Sequence, residues 1–431
     1  MKRGGPRAPA MSVPEAEGNT ELEGEHQWVI LACIPHVVPE DEHDITLLRA
    51  YPPQSSRLIV PRRIAPDPKD IENHPYVVAV GTHGRFLLYA TQGQGSQPAE
   101  PHVFDGFHSE PLRAHGGYPK AYFLCDLSTR AATRLPDPDI PILNPGNVGL
   151  LVLRGGRIAA VVSMVVELQP TAGTDRAALL CYLSLTNRWS VRPANYPPAD
   201  RPWGGHGVIF DGPDLIWVDL SYGLLHLSCY ESLLSDPPPR LLFIPLPDGC
   251  ELPAGTEDLD KKRCVGWSGD RLRYVQIHLR ADGEPIVSRW TWIPLVDGDT
   301  GSWRHDGDIS FQVIWADKGY RAMKLRPKEI PAVACIDPGG HGESVWFFQR
   351  SRLFRVNMAT GKVMRSIFFK MNNPPSRYHS SRFIRLWKLT KELYDGAGCS
   401  SPPNSTDQGM YPSNVDVFSS SVIITVDKSM T

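Results

Sequence analysis

The chain has 431 residues, 41% apolar and 21% charged, with a formal net charge of −2. This is ordinary globular material able to bury a large core, and its near-neutral balance excludes a global pull toward nucleic acid or acidic membranes; such a partner must use a local patch. With 41 Pro, 37 Gly and 11 Trp, the composition suits many short strands joined by turns and argues against long helices.

In chain order, Met1 to Gln27 is basic at its start, then rich in glutamate, with no apolar core. It is not a secretory signal and is expected to be a disordered tail over 1–27. Short strands are expected at 28–33, 58–60, 76–80 and 85–90, followed by a polar Gly/Pro-rich loop over 91–120. From residue 149 to about 293 strand-like runs follow closely, and more are expected at 311–314, 332–336, 344–348, 353–356 and 363–369. Near the end, residues 382–394 placed at about 100° per residue gather Phe383, Leu386, Trp387, Leu389, Leu393 and Tyr394 on one face. That spacing predicts an amphipathic helix, capped by Ser380 or Ser381 and ended by Gly396, which docks its apolar face and buries Trp387. A flexible tail over 399–431 with a short strand-like run at 421–426 completes the chain. No stretch approaches the roughly 20 apolar residues of a spanning helix.

One pattern returns with different residues: an apolar run, an Asp, Asn or Ser beside Leu or Met, a Thr/Ser/Gly turn, and a second run. It reads Tyr122 to Arg130, Leu180 to Trp189 and Leu353 to Lys362, with weaker echoes at 216–223 and 292–303. Each copy has the turn chemistry of a β-hairpin. Roughly twenty strands built this way predict an all-β, β-propeller-like domain of many short antiparallel strands over 28–370, with the helical region at 371–398.

The stretch Trp203-Gly-Gly-His-Gly, then Asp-Leu-Ile-Trp217-Val-Asp-Leu-Ser-Tyr-Gly, continuing to Ile244-Pro-Leu-Pro247, resembles the signature block of a plant family, abundant in grasses, known as domain of unknown function 1618. The opening Gln27-Trp-Val-Ile-Leu31 is similar to that family's start. The resemblance implies a propeller-like fold related to F-box-associated domains and implies no known activity. Residues 1–60 hold no Leu-Pro-led helical module, so no F-box accompanies it.

Motifs that carry chemistry are incomplete. Gly266-Trp-Ser268-Gly-Asp270 misses the nucleophile elbow by one residue and reads as a polar turn. Gly93-Gln-Gly95 lacks the third glycine and the helix of a phosphate loop. Asp297-Gly-Asp299-Thr-Gly301 begins like a calcium loop, with Asp308 at the twelfth position, but departs from it at the fifth and sixth. Cys33, His36 and His43 lack a fourth zinc ligand. The eight cysteines are scattered without a Cys-x-x-Cys pair, as expected of reduced, unpaired thiols in an intracellular protein of cytoplasm or nucleus. No catalytic residue, metal or cofactor is expected.

Two groups of binding candidates remain. Trp217 and Asp219 read either as an aromatic platform with an acceptor, or as a packed indole with a carboxylate bonding the amides of the turn at 221–223. Residues 350–391 hold eleven Lys or Arg and no Asp or Glu, and Arg382, Arg385, Trp387, Lys388 and Lys391 are its candidate contacts for phosphate backbones, anionic lipid or an acidic protein. The expectation is a non-enzymatic scaffold for an unknown protein partner. An enzyme with a channel-mouth site, and nucleic-acid or anionic-surface binding through 350–391, are the alternatives.

Overall fold

The computed structural model describes residues 28–50, 54–66, 74–92, 120–155, 158–171, 173–198, 201–211, 214–227, 239–295, 301–339, 343–369, 380–390 and 393. The two expected tails, most of the 91–120 loop, Lys391, Cys229 and Cys399 lie outside them.

The chain opens with β1 (Trp28–Ala32), β2 (His36–Val38), β3 (Thr46–Leu48) and β4 (Ser55–Pro61). Five antiparallel sheets follow. The first blade is β5 (Tyr76–Val80), β6 (Arg85–Thr91), β7 (Lys120–Asp126) and β8 (Ala131–Arg134); the second is β9 (Val148–Gly155), β10 (Ile158–Pro170), β11 (Arg176–Leu183) and β12 (Arg188–Asn195). The third is β13 (Gly207–Asp211), β14 (Asp214–Asp219), β15 (Gly223–Leu227) and β16 (Leu242–Pro245). The fourth is β17 (Arg263–Ser268), β18 (Arg271–Leu279), β19 (Pro285–Pro294) and β20 (Gly301–Ser310), and the fifth is β21 (Ala332–Ile336), β22 (Ser344–Gln349), β23 (Arg352–Asn357) and β24 (Val363–Phe368). In every blade the strands pair in chain order. A last strand, β25 (Ile384–Lys388), returns to pair antiparallel with β1, from Trp28 opposite Lys388 to Ala32 opposite Ile384. It completes a mixed closing sheet in the order β2-β4-β1-β25, with β3 also on β4.

The apolar clusters show how the sheets are arranged. One joins the closing sheet to the first, second and fifth blades through Leu31, Leu88, Val152, Phe348 and Trp387. Others join the second blade to the third (Leu179, Trp217), the third to the fourth (Leu224, Tyr274) and the fourth to the fifth (Val287, Phe347). Each sheet therefore packs on two neighbours and the ring closes: this is a β-propeller of five four-stranded blades, sealed by the mixed sheet.

The repeated sequence pattern has a fixed place in this plan. The hairpins after Asp126, Leu183, Pro294 and Asn357 each join the third strand of a blade to its fourth. Polar side chains close them: Asp126 Oδ1 accepts from the amide and hydroxyl of Ser128, and Asn357 Oδ1 accepts from the amides of Ala359 and Thr360, the local bonding that lets Asx residues make turns. Asn187 holds the left-handed conformation at φ 52°, which Asn tolerates better than most residues. The echo at Asp219 is out of phase, joining the second strand to the third.

Two elements differ from the sequence expectation. Residues 311–314 are not a strand: Ser310 Oγ accepts from Gln312 N–H and caps a short helix α2 (Phe311–Ala316), following α1 (Leu259–Lys262). Phe311 and Ile314, three apart, are buried while Val313 is exposed, the helical spacing rather than alternation. The expected amphipathic helix over 382–394 is replaced by a 3-10 turn at Ser381–Phe383 followed by β25. A helix would satisfy its own backbone, but β1 presents an unpaired edge, and pairing with it satisfies both segments. Ser380 does not cap; it is extended and donates to Asp260 Oδ2 at 2.7 Å.

The docking expected of this segment is nonetheless present. Trp387 is fully buried, its Nε1–H donates to Gly81 O at 2.7 Å, and its ring meets Phe86 edge-on at 5.7 Å. Trp387→Ala is expected to lower the free energy of unfolding by about 3–5 kcal/mol. Lys388→Ala beside it, on the surface, should cost less than about 0.5 kcal/mol. Urea denaturation of the two variants checks the contrast.

Candidate functional site

The first strand of each blade lies innermost, and β25 takes the same place in the closing sheet. Neighbouring inner strands run the same way. Tyr76 at the start of β5 donates to Arg382 O just before β25, and Trp387 near the end of β25 donates to Gly81 O just after β5. Likewise Ser268, ending β17, donates to Asp337 O just past β21. Between them lies a central channel of about 540 Å³, lined from β5, β13, β17, β21 and β25. Its walls are mainly apolar, with Val80, Val208, Phe210, Val265, Ile336 and Leu386 among them. The charged or titratable oxygen and nitrogen groups of the lining are His83, His206, Arg385 and Lys388, and the lining includes no Asp or Glu.

His206 is held by the glycine-rich block that precedes β13. Asp219 Oδ2 accepts from Gly204 N–H at 2.7 Å, and its Oδ1 accepts from the amide and hydroxyl of Ser221 at 2.8 and 2.6 Å. His206 Nδ1 accepts from Leu220 N–H at 3.2 Å and lies 3.5 Å from Asp219 Oδ1. Accepting there leaves the proton of the neutral ring on Nε2. A Cβ at Gly204 would sit 2.7 Å from the His206 ring and 2.8 Å from Asp219 Oδ1, so that position admits only glycine without a shift. Burial works to raise the Asp219 carboxyl, but His206 and Ser221 outweigh it and hold it below the ordinary aspartate value. Trp217 is fully buried between blades and its Nε1–H donates to Asn147 O at 2.7 Å. It offers no exposed platform, and Asp219 is spent on the turn and the histidine. In the sequence His206 stood only as part of the Trp203-Gly-Gly-His-Gly block, without a site role of its own; the glycines flanking it were the signal.

The basic run at 350–391 does not form one face. Arg350 pairs with Glu329 at 3.0 Å, Arg355 with Asp337 at 3.0 Å and Arg382 with Asp260 at 3.5 Å. Arg352 lies 4.2 Å over the Phe368 ring. Arg385 turns inward, donating from Nη1 to Arg382 O and Ile384 O and from Nη2 to Tyr76 Oη and Val78 O. Lys388 is exposed at the channel and has no hydrogen-bond or ion-pair partner among the described residues.

The six described cysteines are free and buried. Burial pushes the Cys264 thiol in the channel wall up to about 12, so it stays protonated and unreactive. Ser268 lies in the hairpin between β17 and β18 rather than on a strand-to-helix turn, and its hydroxyl is committed to Asp337 O. Among the described residues no group of three His, Cys, Asp or Glu is placed to hold a metal ion, and no helix is long and apolar enough to cross a membrane.

Residues 217–341 match the DUF1618 family, described as a protein of unknown function. The DUF1618 segment runs from Trp217 in β14 through the whole fourth blade and β21, so it contributes the channel-lining residues 264–267 and 334–336. His206 and β25 lie outside it. No curated protein matches the chain. Solved structures similar to it include Kluyveromyces lactis Hsv2, at 6% identity and a TM-score of 0.30, covering 68% of this chain and 63% of that one. The chain thus spans less than two thirds of the length of Hsv2. Also similar are apo AztD from Citrobacter koseri, at 11% identity and TM-score 0.27 over 68% of this chain and 70% of that one, and Sqt1 from Chaetomium thermophilum, at 10% identity and TM-score 0.28 over 78% and 74%.

The second blade holds a buried acid outside the channel. Glu167 on β10 accepts at Oε1 from the amides of Leu143 and Asn144, both at 2.7 Å, and at Oε2 from Gln169 Nε2 at 2.6 Å. Burial pushes its carboxyl up to about 7, against the pull of those donors and of Lys120. Between the ordinary glutamate value and about 7 the unfolded chain releases this proton while the folded protein keeps it, so stability falls as pH rises through that window and levels off above it. Glu167→Gln is expected to remove this slope, so that the parent's loss of stability between pH 5 and pH 8 is absent from the variant. Urea unfolding at pH 5 and pH 8 measures the difference.

Proposed function

We propose that this protein is a non-catalytic interaction module whose propeller holds a protein partner at the seam between the closing sheet and the fifth blade. The observation that carries this reading is a groove of about 460 Å³ lined by Leu48, Ile367 and Phe368 together with Arg49 and Arg57. Apolar side chains stand in solvent around it: Leu48 is 47% exposed, Phe368 63%, and Met364 on the same strand 47%. Clustered exposed apolar groups on an otherwise polar surface are a feature of interaction sites.

The chemistry of the seam favours an extended partner segment carrying acidic and apolar side chains. β24 is the outermost strand of its blade and pairs only with β23 among the described residues, leaving an edge of the kind that added strands use. Arg57 is exposed with no ion-pair partner among the described residues, and Arg352 stacks on Phe368. The ion pairs of Arg350, Arg355 and Arg382 support a protein partner over a phosphate backbone, since three cations of that run already meet Glu329, Asp337 and Asp260. The absence of carboxylates from the channel lining supports binding over turnover of the two-carboxylate kind.

A Leu48→Glu/Phe368→Glu double variant is expected to keep the parental melting temperature and weaken the complex with its protein partner by at least about thirtyfold. The partner is first identified by affinity purification and then titrated in purified form by calorimetry. Unchanged affinity would remove the groove from consideration, and steady turnover of a small substrate by the purified chain would replace this reading with an enzymatic one.

A further inference from the structure

The central channel carries a second feature, independent of the seam. Arg385 lines it, and a guanidinium is charged at any pH a protein tolerates. Its four hydrogen bonds go to Arg382 O at 3.0 Å, Ile384 O at 3.1 Å, Tyr76 Oη at 3.2 Å and Val78 O at 3.3 Å, all neutral acceptors. Its Nε–H is buried without a partner, and no Asp or Glu pairs with it among the described residues. Every other arginine of the run whose ion pair has been given above meets a carboxylate. A partly buried cation without a counter-charge is costly, and the cost falls when an anion arrives.

Further positive or donor groups lie along the same channel. Lys388 follows on the same strand, His83 and Thr82 lie just past the end of β5, and His206 just before β13. The remaining wall is apolar, and the volume falls in the range of small-molecule sites. We propose that the channel binds a small apolar carboxylate, its acid group paired with the cationic residues of β25 and its hydrocarbon body against the apolar wall. A polyanion such as a nucleotide fits less well, because much of the wall offers it no donors.

The fold itself supplies a clean test. Gly266 on β17 lines the channel, its φ is not in the left-handed region, and a Cβ added there meets nothing within 4 Å. Gly266→Leu therefore starts a side chain from open space in the channel wall. The full chain is titrated with a panel of medium-chain fatty, monoaromatic and naphthalene carboxylates, each beside its neutral primary amide. Calorimetry and the fluorescence of channel-lining Trp28 and Trp267 report binding.

At least one acid is expected to saturate below about 1 mM, with its amide at least about tenfold weaker. Gly266→Leu should weaken that acid by at least about tenfold with an unchanged melting temperature, and Lys388→Gln by about threefold or more. Arg385→Gln should abolish the preference for acid over amide; should it fail to fold, the other two variants carry the test. No saturable binding by any acid in the panel would overturn the proposal. So would amides that bind as well as their acids, or a Gly266→Leu chain that binds like the parent.

Discussion

The antiparallel pairing of β1 with β25 is the constraint on which this architecture depends. Each of the five blades can form from contiguous chain, but a ring of radial sheets leaves two faces bare unless something fills the gap between the first and fifth. The two segments that fill it come from opposite ends of the described chain. Trp387 and Arg385 tie β25 to the first blade through Gly81 O and Val78 O, while Ser380 and Arg382 tie the preceding turn to Asp260 beside the fourth. The great sequence distance between the strands adds little to the entropy of closure, which grows only by about 0.6 kcal/mol per doubling of loop length.

Much of this was legible in the sequence, and the reason is local. Third-to-fourth hairpins must reverse the chain within a few residues, so polar turn residues such as Asp126, Asn187 and Asn357 recur within them even though the intervening loops differ in length. Those loops made the repeat look irregular. What could not be read was any choice made by a distant partner. Residues 384–388 carry apolar groups at spacings that suit a helix in isolation, and only the open edge of β1, far away in sequence, selects the extended form. The same holds on a smaller scale for Phe311 and Ile314, where the cap at Ser310 decides.

The candidate site was partly legible for a related reason. Residue type suggests what a side chain can do, but its partners decide whether it is available. Asp219 has the chemistry of a binding carboxylate, and its lone pairs are taken by Gly204 and Ser221. Arg385 lay in a run that looked like a solvent-facing strip, and the pleat of β25 put it beside Trp387 on the face toward the first blade, where Tyr76 Oη and Val78 O accept from it. Trp217 was recognisable as important, but it is the blade contact at Asn147 that gives it a role. His206 stood in the sequence without a site role because a lone histidine carries no chemical pattern, and its meaning comes from Gly204, which lets Asp219 approach it.

The closing sheet also sets the timing of assembly on the ribosome. β1 emerges first, but its antiparallel partner is not synthesised until residues 384–388 are added. At about 5–20 residues per second that interval lasts roughly 20 to 70 seconds. Throughout it the nascent chain carries Val29, Ile30 and Leu31 on an unpaired edge, a surface that invites pairing with other chains. The topology alone therefore leaves this edge open during translation, and faster completion of the last blade shortens the exposure.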